Sequence, residues 1–284
     1  MPIRIMASRH SAFYSPLLCC IRFLRDEGRE VTYSVLGADQ RTYALIRDGA
    51  VDIVQSAVSS NWKPRERGVE PLPVHFAQIN QRDGFFLFGR QPAATFDWKQ
   101  LEGHTLLADH GLQPLIMLKY AVRHNGADWT KVKVIDAGTP EKMEAAFRAG
   151  TADYVHLQAP TVCGDKAVSV GASMPAVAFS SLCCGREYQK TETYRAVLQV
   201  YERARTWVRS ASAGEVAAAE ASFFPLIPPE TLTAAVRSYQ ELGCWEGDIE
   251  IPRDLYEQAL NVFQSAGEIT WRHRYEEVVG RSSV

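Results

Sequence analysis

Four short stretches of the chain carry the side chains best suited to binding or chemistry. Together they combine imidazole, hydroxyl, amide and carboxylate groups with aromatic rings, a mixture that can hold a small polar molecule in a cleft. Their three histidines could also serve as acids, bases or metal ligands, although no spacing demands a metal. The candidate ligand-binding residues are His10 and Tyr14; Ser59, Ser60, Asn61 and Trp62; Asp109, His110 and Gln113; and His156 and Gln158.

Two of these stretches end the same sequence pattern, which occurs in residues 44–60 and again in residues 145–161. Ala, Arg, Gly, Asp and Val recur in register in the two copies. Each copy predicts a helix that ends at a glycine, then a short buried strand that opens into a polar loop. Because open α/β sheets bind ligands at the carboxyl ends of their strands, the repeat predicts two similar lobes that present opposing loops.

The remaining elements fit an α/β fold. A strand over residues 3–7 leads to the loop of His10 and Tyr14, and Pro16 suits the first turn of the helix that follows. Strands and helices then alternate. We expect the two-lobed type II periplasmic-binding architecture, each lobe a mixed sheet flanked by helices, with the ligand cleft between them. The predicted lobes are 1–85 plus 183–284 and 86–182, and the predicted hinge strands lie near 85–88 and 178–182.

Composition limits the possible partners. A net charge of -2 and a pI near 6.4 give no basic surface for nucleic acid, and no apolar run approaches the roughly 18 residues of a membrane span. The N-terminus is interpreted as a strand without a signal peptide, so the expected location is cytoplasmic as written, or periplasmic if a leader has been removed. The six cysteines lack zinc spacing and are expected to be reduced and buried.

Three motifs carry a resemblance to a known family. They are IRDGAVDI at 46–53, WKQLEG at 98–103 and FRAGTADY at 147–154, and Gly243-Cys-Trp245 is similar to the family's closing region. The chain resembles the type II periplasmic solute-binding proteins over nearly its whole length. The branch concerned groups aliphatic-sulfonate, nitrate and taurine receptors with thiamine-pyrimidine synthases.

The resemblance separates two functional classes. It implies that a pyrimidine synthase would hold pyridoxal phosphate through a lysine soon after the first Gly-x-x-Asp strand and would consume a nearby histidine. This chain has Ser56 and Ser60 at those positions. Only a fragment of the iron-binding motif remains at Cys183-Cys184-Gly185. A hydroxyl cannot form a Schiff base, so we expect neither this chemistry nor any cofactor.

The leading hypothesis is a solute-binding protein that closes on a small polar organic ligand. It would act as an ABC-transporter-type receptor, with an ABC permease as partner if exported, or as a cytoplasmic sensor. Sulfonates, pyrimidines and aromatic acids are the ligand classes that we consider. The alternative is a cytoplasmic biosynthetic enzyme or lyase on the same fold that uses His10, His110 or His156 as acid and base.

Overall fold

The computed structural model describes residues 2–37, 39–90, 95–161, 163 and 165–280. The chain forms two compact units: unit 1 is Met1–Gln81 with Val177–Val284, and unit 2 is Arg82–Ala176. The two crossings therefore lie a few residues before the boundaries predicted from the sequence. The reason is pairing, since the strand that starts at Phe85 pairs only within unit 2 and the strand that starts at Ser180 pairs only within unit 1.

The first part of unit 1 alternates strands and helices. Pro16 lies in the first turn of the first helix, and Gly28, with a φ of 78°, ends it through a bond from the Arg29 N–H to the Leu24 carbonyl (3.0 Å). The elements are β1 (Ile3–Ala7), α1 (Ser15–Asp26), β2 (Val31–Val35), α2 (Thr42–Arg47), β3 (Ile53–Ser56), α3 (Trp62–Glu66) and β4 (Val74–Asn80). Short 3-10 helices at Ala12–Tyr14 and Val58–Asn61 follow β1 and β3.

Unit 2 repeats this order after one extra strand. Its first helix ends at Gly126 as α1 ends at Gly28, with a φ of 77° and a bond from the Ala127 N–H to the Val122 carbonyl (3.1 Å). The elements are β5 (Phe85–Gly89), β6 (Thr105–Leu107), α4 (Leu112–His124), β7 (Lys133–Ile135), α5 (Pro140–Arg148), β8 (Tyr154–Gln158) and β9 (Asp165–Ser169).

The returning chain completes unit 1 with one strand and a set of helices. They are β10 (Ser180–Cys184), α6 (Glu192–Ser210), α7 (Ala213–Glu220), α8 (Pro229–Glu241), α9 (Arg253–Ser265) and α10 (Tyr275–Val278). None of the helices in the described ranges is long and apolar enough to cross a membrane.

The two sheets have equivalent strand orders. The unit 1 sheet runs β2-β1-β3-β10-β4 and the unit 2 sheet runs β7-β6-β8-β5-β9. In each sheet the first three strands are parallel and the fourth is antiparallel to its neighbours. The predicted class, mixed sheets flanked by helices, is confirmed for each unit. The parallel strands bring their carboxyl ends to one edge, which is where the predicted ligand loops start.

The repeated aspartate explains why the sequence pattern recurs. In unit 1 the Arg4 N–H donates to the carboxylate of Asp52 (2.8 Å), and the Asp52 N–H donates back to the Arg4 carbonyl (3.0 Å). Thr105 and Asp153 make the same reciprocal pair in unit 2, at 2.8 and 3.1 Å. Each aspartate thus fixes the start of one parallel strand against its neighbour.

The outer edge of β4 is covered by side chains of α6. The Tyr201 hydroxyl donates to the Gln78 carbonyl (2.6 Å), and the Arg205 guanidinium donates to the carbonyls of Gln78 (3.3 Å), Ile79 and Glu246 (2.7 Å). Arg205 is 1% exposed, and burial lowers the pKa of its guanidinium. These bonds satisfy carbonyls that an edge strand would otherwise leave open, next to two β-bulges in the β10–β4 pairing.

Candidate functional site

In unit 1 the candidate residues begin in the β1–α1 loop, defined here as residues 8–14. Gln55, at the end of β3, anchors the start of this loop, because its side-chain oxygen accepts from the Ser8 N–H (3.0 Å) and the Ser8 hydroxyl (2.8 Å). The Ser11 hydroxyl accepts from the Phe13 N–H (3.1 Å) and starts the short 3-10 helix. The loop is therefore bonded to the sheet edge that it follows.

His10 lies in this loop with its ring exposed and both nitrogens engaged. Nε2 is 2.8 Å from the Phe223 carbonyl, and Nδ1 is 3.1 Å from the Tyr33 hydroxyl. A carbonyl can only accept, so Nε2 carries the proton of the neutral ring and the Tyr33 hydroxyl donates to Nδ1. The ring also stacks on Phe224 at 4.4 Å. The ring of His10 is thus exposed but fixed through both nitrogens, whereas Tyr14 is buried beside Phe13.

The loop after β3 gives two candidates and removes two. Ser59 and Ser60 lie in the short 3-10 helix after β3. Ser59 is buried, and the Ser60 hydroxyl has no hydrogen-bond partner among the described residues. Asn61, in contrast, is buried and donates its amide to the Pro73 carbonyl (2.7 Å). Asn61 therefore fixes the local backbone, and the prediction that it contacts a ligand is corrected.

Trp62 lies in the core of unit 1 and not at a ligand-binding surface. Its side chain is 0% exposed, its Nε1–H donates to the Tyr256 hydroxyl (3.1 Å), and its ring packs edge-on against Tyr256 and Phe263. The ring also lies parallel to His273 at 6.1 Å. The indole joins α3 to α9 in the core of unit 1, so the prediction that it walls one side of a ligand was wrong.

In unit 2 the loop between β6 and α4 carries three candidates. One Asp109 carboxylate oxygen accepts from the Gly111 N–H (2.6 Å), which bends the chain into α4. Gly111, without a side-chain cap, is the N-cap of α4, and Gln113 lies buried in its first turn. His110 is partly exposed, and its Nδ1 is 2.9 Å from the Ala108 carbonyl and 3.6 Å from the Asp136 carboxylate.

His156 and Gln158 lie within β8, not beyond it. His156 is 0% exposed and stacks on Phe85 of β5 at 4.5 Å, and Gln158, the last residue of β8, is half-buried. The structure therefore places His156 inside the strand and not in the polar loop that follows it.

The two candidate histidines of unit 2, His110 and His156, do not converge. In the sheet order β7-β6-β8-β5, His110 turns toward Asp136 after β7, whereas His156 turns toward β5. This separation weakens the acid–base alternative within unit 2. No group of three or more possible metal ligands occurs among the described residues.

Cys183 and Cys184 are buried in β10, and burial raises the pKa of both thiols. All six cysteines are free and buried, as predicted. Raised thiol pKa values disfavour the reactive thiolate, so this pair is inert packing in unit 1.

Three buried polar residues near the candidate loops and the crossings escaped the sequence analysis: Gln55, Asn80 and Asp83. Asp83 directly precedes β5, is 0% exposed, and accepts from the Phe85 N–H (2.7 Å) through one oxygen, while the other has no partner among the described residues. Gly171 covers it so closely that a Cβ there would lie 2.1 Å from the Asp83 carbonyl oxygen. Burial raises the pKa of Asp83 to about 8. The sequence did offer one signal for two of these three residues: Asn80 at the end of β4 and Asp83 just before β5 flank the short crossover between these two apolar strands.

Comparison with known proteins adds to this geometry. No protein-family model matches the chain. YtlA, a provisionally named binding protein of Bacillus subtilis (strain 168), is 24% identical over an alignment 293 positions long. The alignment covers 98% of this chain and 87% of that protein.

Two solved structures share the fold over nearly the full length. The ligand-binding component of an ABC-type import system from Staphylococcus aureus, solved with zinc bound, matches with a TM-score of 0.78 at 12% identity, covering 99% of this chain and 97% of that one. The periplasmic aliphatic sulphonate binding protein SsuA from Escherichia coli matches with a TM-score of 0.72 at 14% identity, covering 95% and 94%. These matches confirm the predicted fold of the periplasmic solute-binding proteins.

Proposed function

We propose that this protein is a solute-binding protein that presents a small polar organic ligand to an ABC-type permease. The observation that carries the proposal is the match of almost the entire chain to the binding component of an import system, with a TM-score of 0.78. The relation to YtlA, which also spans nearly the whole chain, supports it from sequence. The equivalent strand orders of the two units provide two similar ligand edges.

The proposed ligand residues lie at the carboxyl edges of the parallel strands in each unit. Unit 1 would contribute His10 and Tyr14 of the β1–α1 loop with Ser59 and Ser60. Unit 2 would contribute Asp109, His110 and Gln113, with His156 and Gln158 of β8. Trp62 and Asn61 are no longer included, because their contacts are internal to unit 1.

The ligand class that we favour is an organic oxyanion, with aliphatic sulfonates first. The Escherichia coli neighbour is an aliphatic sulphonate binding protein. Hydroxyl groups of Ser59 and Ser60, the amide of Gln113 and the N–H groups at the start of α4 are the neutral donors that suit such an anion. Pyrimidines and aromatic acids remain in the test as competing classes.

A binding role is better supported than a catalytic one. Ser56 ends β3 where a pyrimidine synthase would need its lysine, and a hydroxyl cannot form a Schiff base with pyridoxal phosphate. The neighbours above are binding components, and no observation in the described residues favours the enzyme alternative. Because a permease-coupled receptor meets its substrate outside the cytoplasm, the proposal favours an exported protein over the cytoplasmic expectation.

A thermal-shift screen tests the proposal. Butanesulfonate, butanoate, an aminopyrimidine and benzoate are added separately to the purified protein, and we expect butanesulfonate to give the largest shift. At a concentration 100-fold above Kd a ligand stabilises the folded state by about 2.7 kcal/mol, which raises Tm by about 4–5 °C in a protein of this size.

Single substitutions locate the site. Ser60→Ala and Gln113→Ala should each weaken the best ligand at least tenfold, roughly 1.4 kcal/mol. Gln199→Ala, which removes an exposed glutamine of α6, is the matched control and should leave affinity unchanged. Unchanged affinity in both site variants would move the site away from these two loops.

A further inference from the structure

The carbonyl oxygen of Phe13, in the β1–α1 loop, receives two side-chain donors. The Asn80 amide donates to it at 2.8 Å and the Trp245 indole N–H donates to it at 3.0 Å. All three residues are buried, and Asn80 is 0% exposed. Two directed donors on one buried carbonyl fix the position of the loop backbone at this point.

Asn80 also joins the two segments by which the chain leaves and re-enters unit 1. It is the last residue of β4, one residue before the chain passes into unit 2. The Ser180 hydroxyl, at the start of β10, donates to its side-chain oxygen, and the Phe179 N–H donates to its backbone carbonyl (3.1 Å). The side chain of Asn80 lies on the outgoing segment, by which the chain leaves unit 1. It thus contacts both the returning segment, by which the chain re-enters unit 1, and the β1–α1 loop.

Trp245 reaches the same point from the turn after α8. In this turn the Cys244 carbonyl accepts from the Gln81 N–H (3.0 Å), so it is bonded to the outgoing segment as well. The Phe13 ring packs against Phe179 at 5.5 Å and against Tyr239 of α8 at 5.1 Å. The crossing segments and the loop are therefore parts of one packed junction.

We propose that Asn80 and Trp245 are positioning residues that fix the β1–α1 loop, and with it His10, to the segments that cross between the units. Their effect on a ligand passes through the Phe13 carbonyl, because both side chains donate to that oxygen. Loss of either donor loosens the loop and weakens ligand binding without removing a ligand contact.

Hydrogen exchange of the unliganded protein tests the first half of this proposal. In Asn80→Ala and in Trp245→Phe, which keeps an aromatic ring but removes the N–H donor together with part of the indole, the peptide that covers residues 8–15 should exchange at least tenfold faster than in the wild type. Gln189→Ala is the matched control. It also deletes a buried amide that donates to a backbone carbonyl, that of Gly280 at 3.0 Å, but far from the loop in sequence.

The control should leave exchange in residues 8–15 unchanged. Loop exchange in both test variants that equals the exchange in Gln189→Ala would overturn the proposal. Trp245→Phe decides the matter if Asn80→Ala does not fold.

Calorimetric titration with butanesulfonate tests the second half, which rests on the proposed function. We expect both test variants to bind at least fivefold more weakly than the wild type, and Gln189→Ala to bind within twofold of it. Faster loop exchange with unchanged affinity would contradict the link to the ligand. Failure of the wild type to bind butanesulfonate would contradict the proposed ligand class, and the exchange experiment alone would then decide the positioning role.

Discussion

Asp83 illustrates how one buried side chain makes stability depend on pH. Its carboxyl lies beside the crossing into unit 2, with one oxygen bonded to the Phe85 N–H and its pKa raised to about 8 by burial. The unfolded chain loses this proton near the ordinary value of 3.8, whereas the folded chain keeps it up to about pH 8. Between these values the folded state binds more protons, so this group makes the protein less stable as the pH rises.

The substitution Asp83→Asn tests that sign. The side chain of the variant cannot ionise. The free energy of unfolding of the variant minus that of the wild type should therefore increase by more than about 1 kcal/mol between pH 5 and pH 8, since each pKa unit is worth about 1.4 kcal/mol. Urea unfolding at several pH values measures the difference. Glu241→Gln, at an exposed position of α8, is the control and should show no such trend. A pH-independent difference for Asp83→Asn would contradict the account.

Residue roles were only partly predictable from the sequence. The repeated Asp52 and Asp153 were recognised as a pattern, but their reciprocal bonds with Arg4 and Thr105 depend on strands that lie far apart in the chain. Trp62 was misplaced for the same reason. A tryptophan that follows Ser and Asn indicates a surface loop, and nothing local reveals that Tyr256 and Phe263 pack on it.

Elements were predicted better than residues. The glycines that end helices are local signals, and Gly49 and Gly150, with φ values of 66° and 91°, end α2 and α5 where the repeat placed them. The crossing boundaries were less accurate, because strand partners decide them. The β4 edge could not be predicted, since its cover comes from α6, more than a hundred residues later.

The contribution of Arg205 to covering the β4 edge can be tested by substitution. Arg205→Met would remove the guanidinium donor from the Ile79 and Glu246 carbonyls and leave the Gln78 carbonyl with the Tyr201 hydroxyl alone, and each unsatisfied buried group costs about 1–3 kcal/mol. This loss exceeds the relief from no longer burying a charge, so we expect a net destabilisation of about 2 kcal/mol or more. Arg203→Met, on the exposed side of the same helix, should change stability by less than about 0.5 kcal/mol. Chemical denaturation of both variants measures the difference, and equal effects would show that the edge bonds contribute little.

At the scale of the whole molecule, the internal repeat carried most of the correct prediction. Two copies of one helix–glycine–strand pattern predicted two similar α/β units, and the two sheets have equivalent strand orders. The ligand could not be derived in this way, because the residues proposed to hold it come from loops whose chemistry differs between the units. Ser59 and Ser60 would provide neutral donors in unit 1, whereas unit 2 would add the carboxylate of Asp109.

The proposed role of this chain is to bind one small organic oxyanion without converting it. Isothermal titration of the purified protein with butanesulfonate, alongside butanoate, tests it directly. We predict one site per chain for butanesulfonate, with a Kd in the micromolar range or tighter, about -8 kcal/mol or more favourable, and weaker binding of butanoate. Recovery of the butanesulfonate unchanged after prolonged incubation would agree with a binding role. The absence of binding by folded protein to every ligand in the screen, or chemical conversion of a ligand that does bind, would contradict the account.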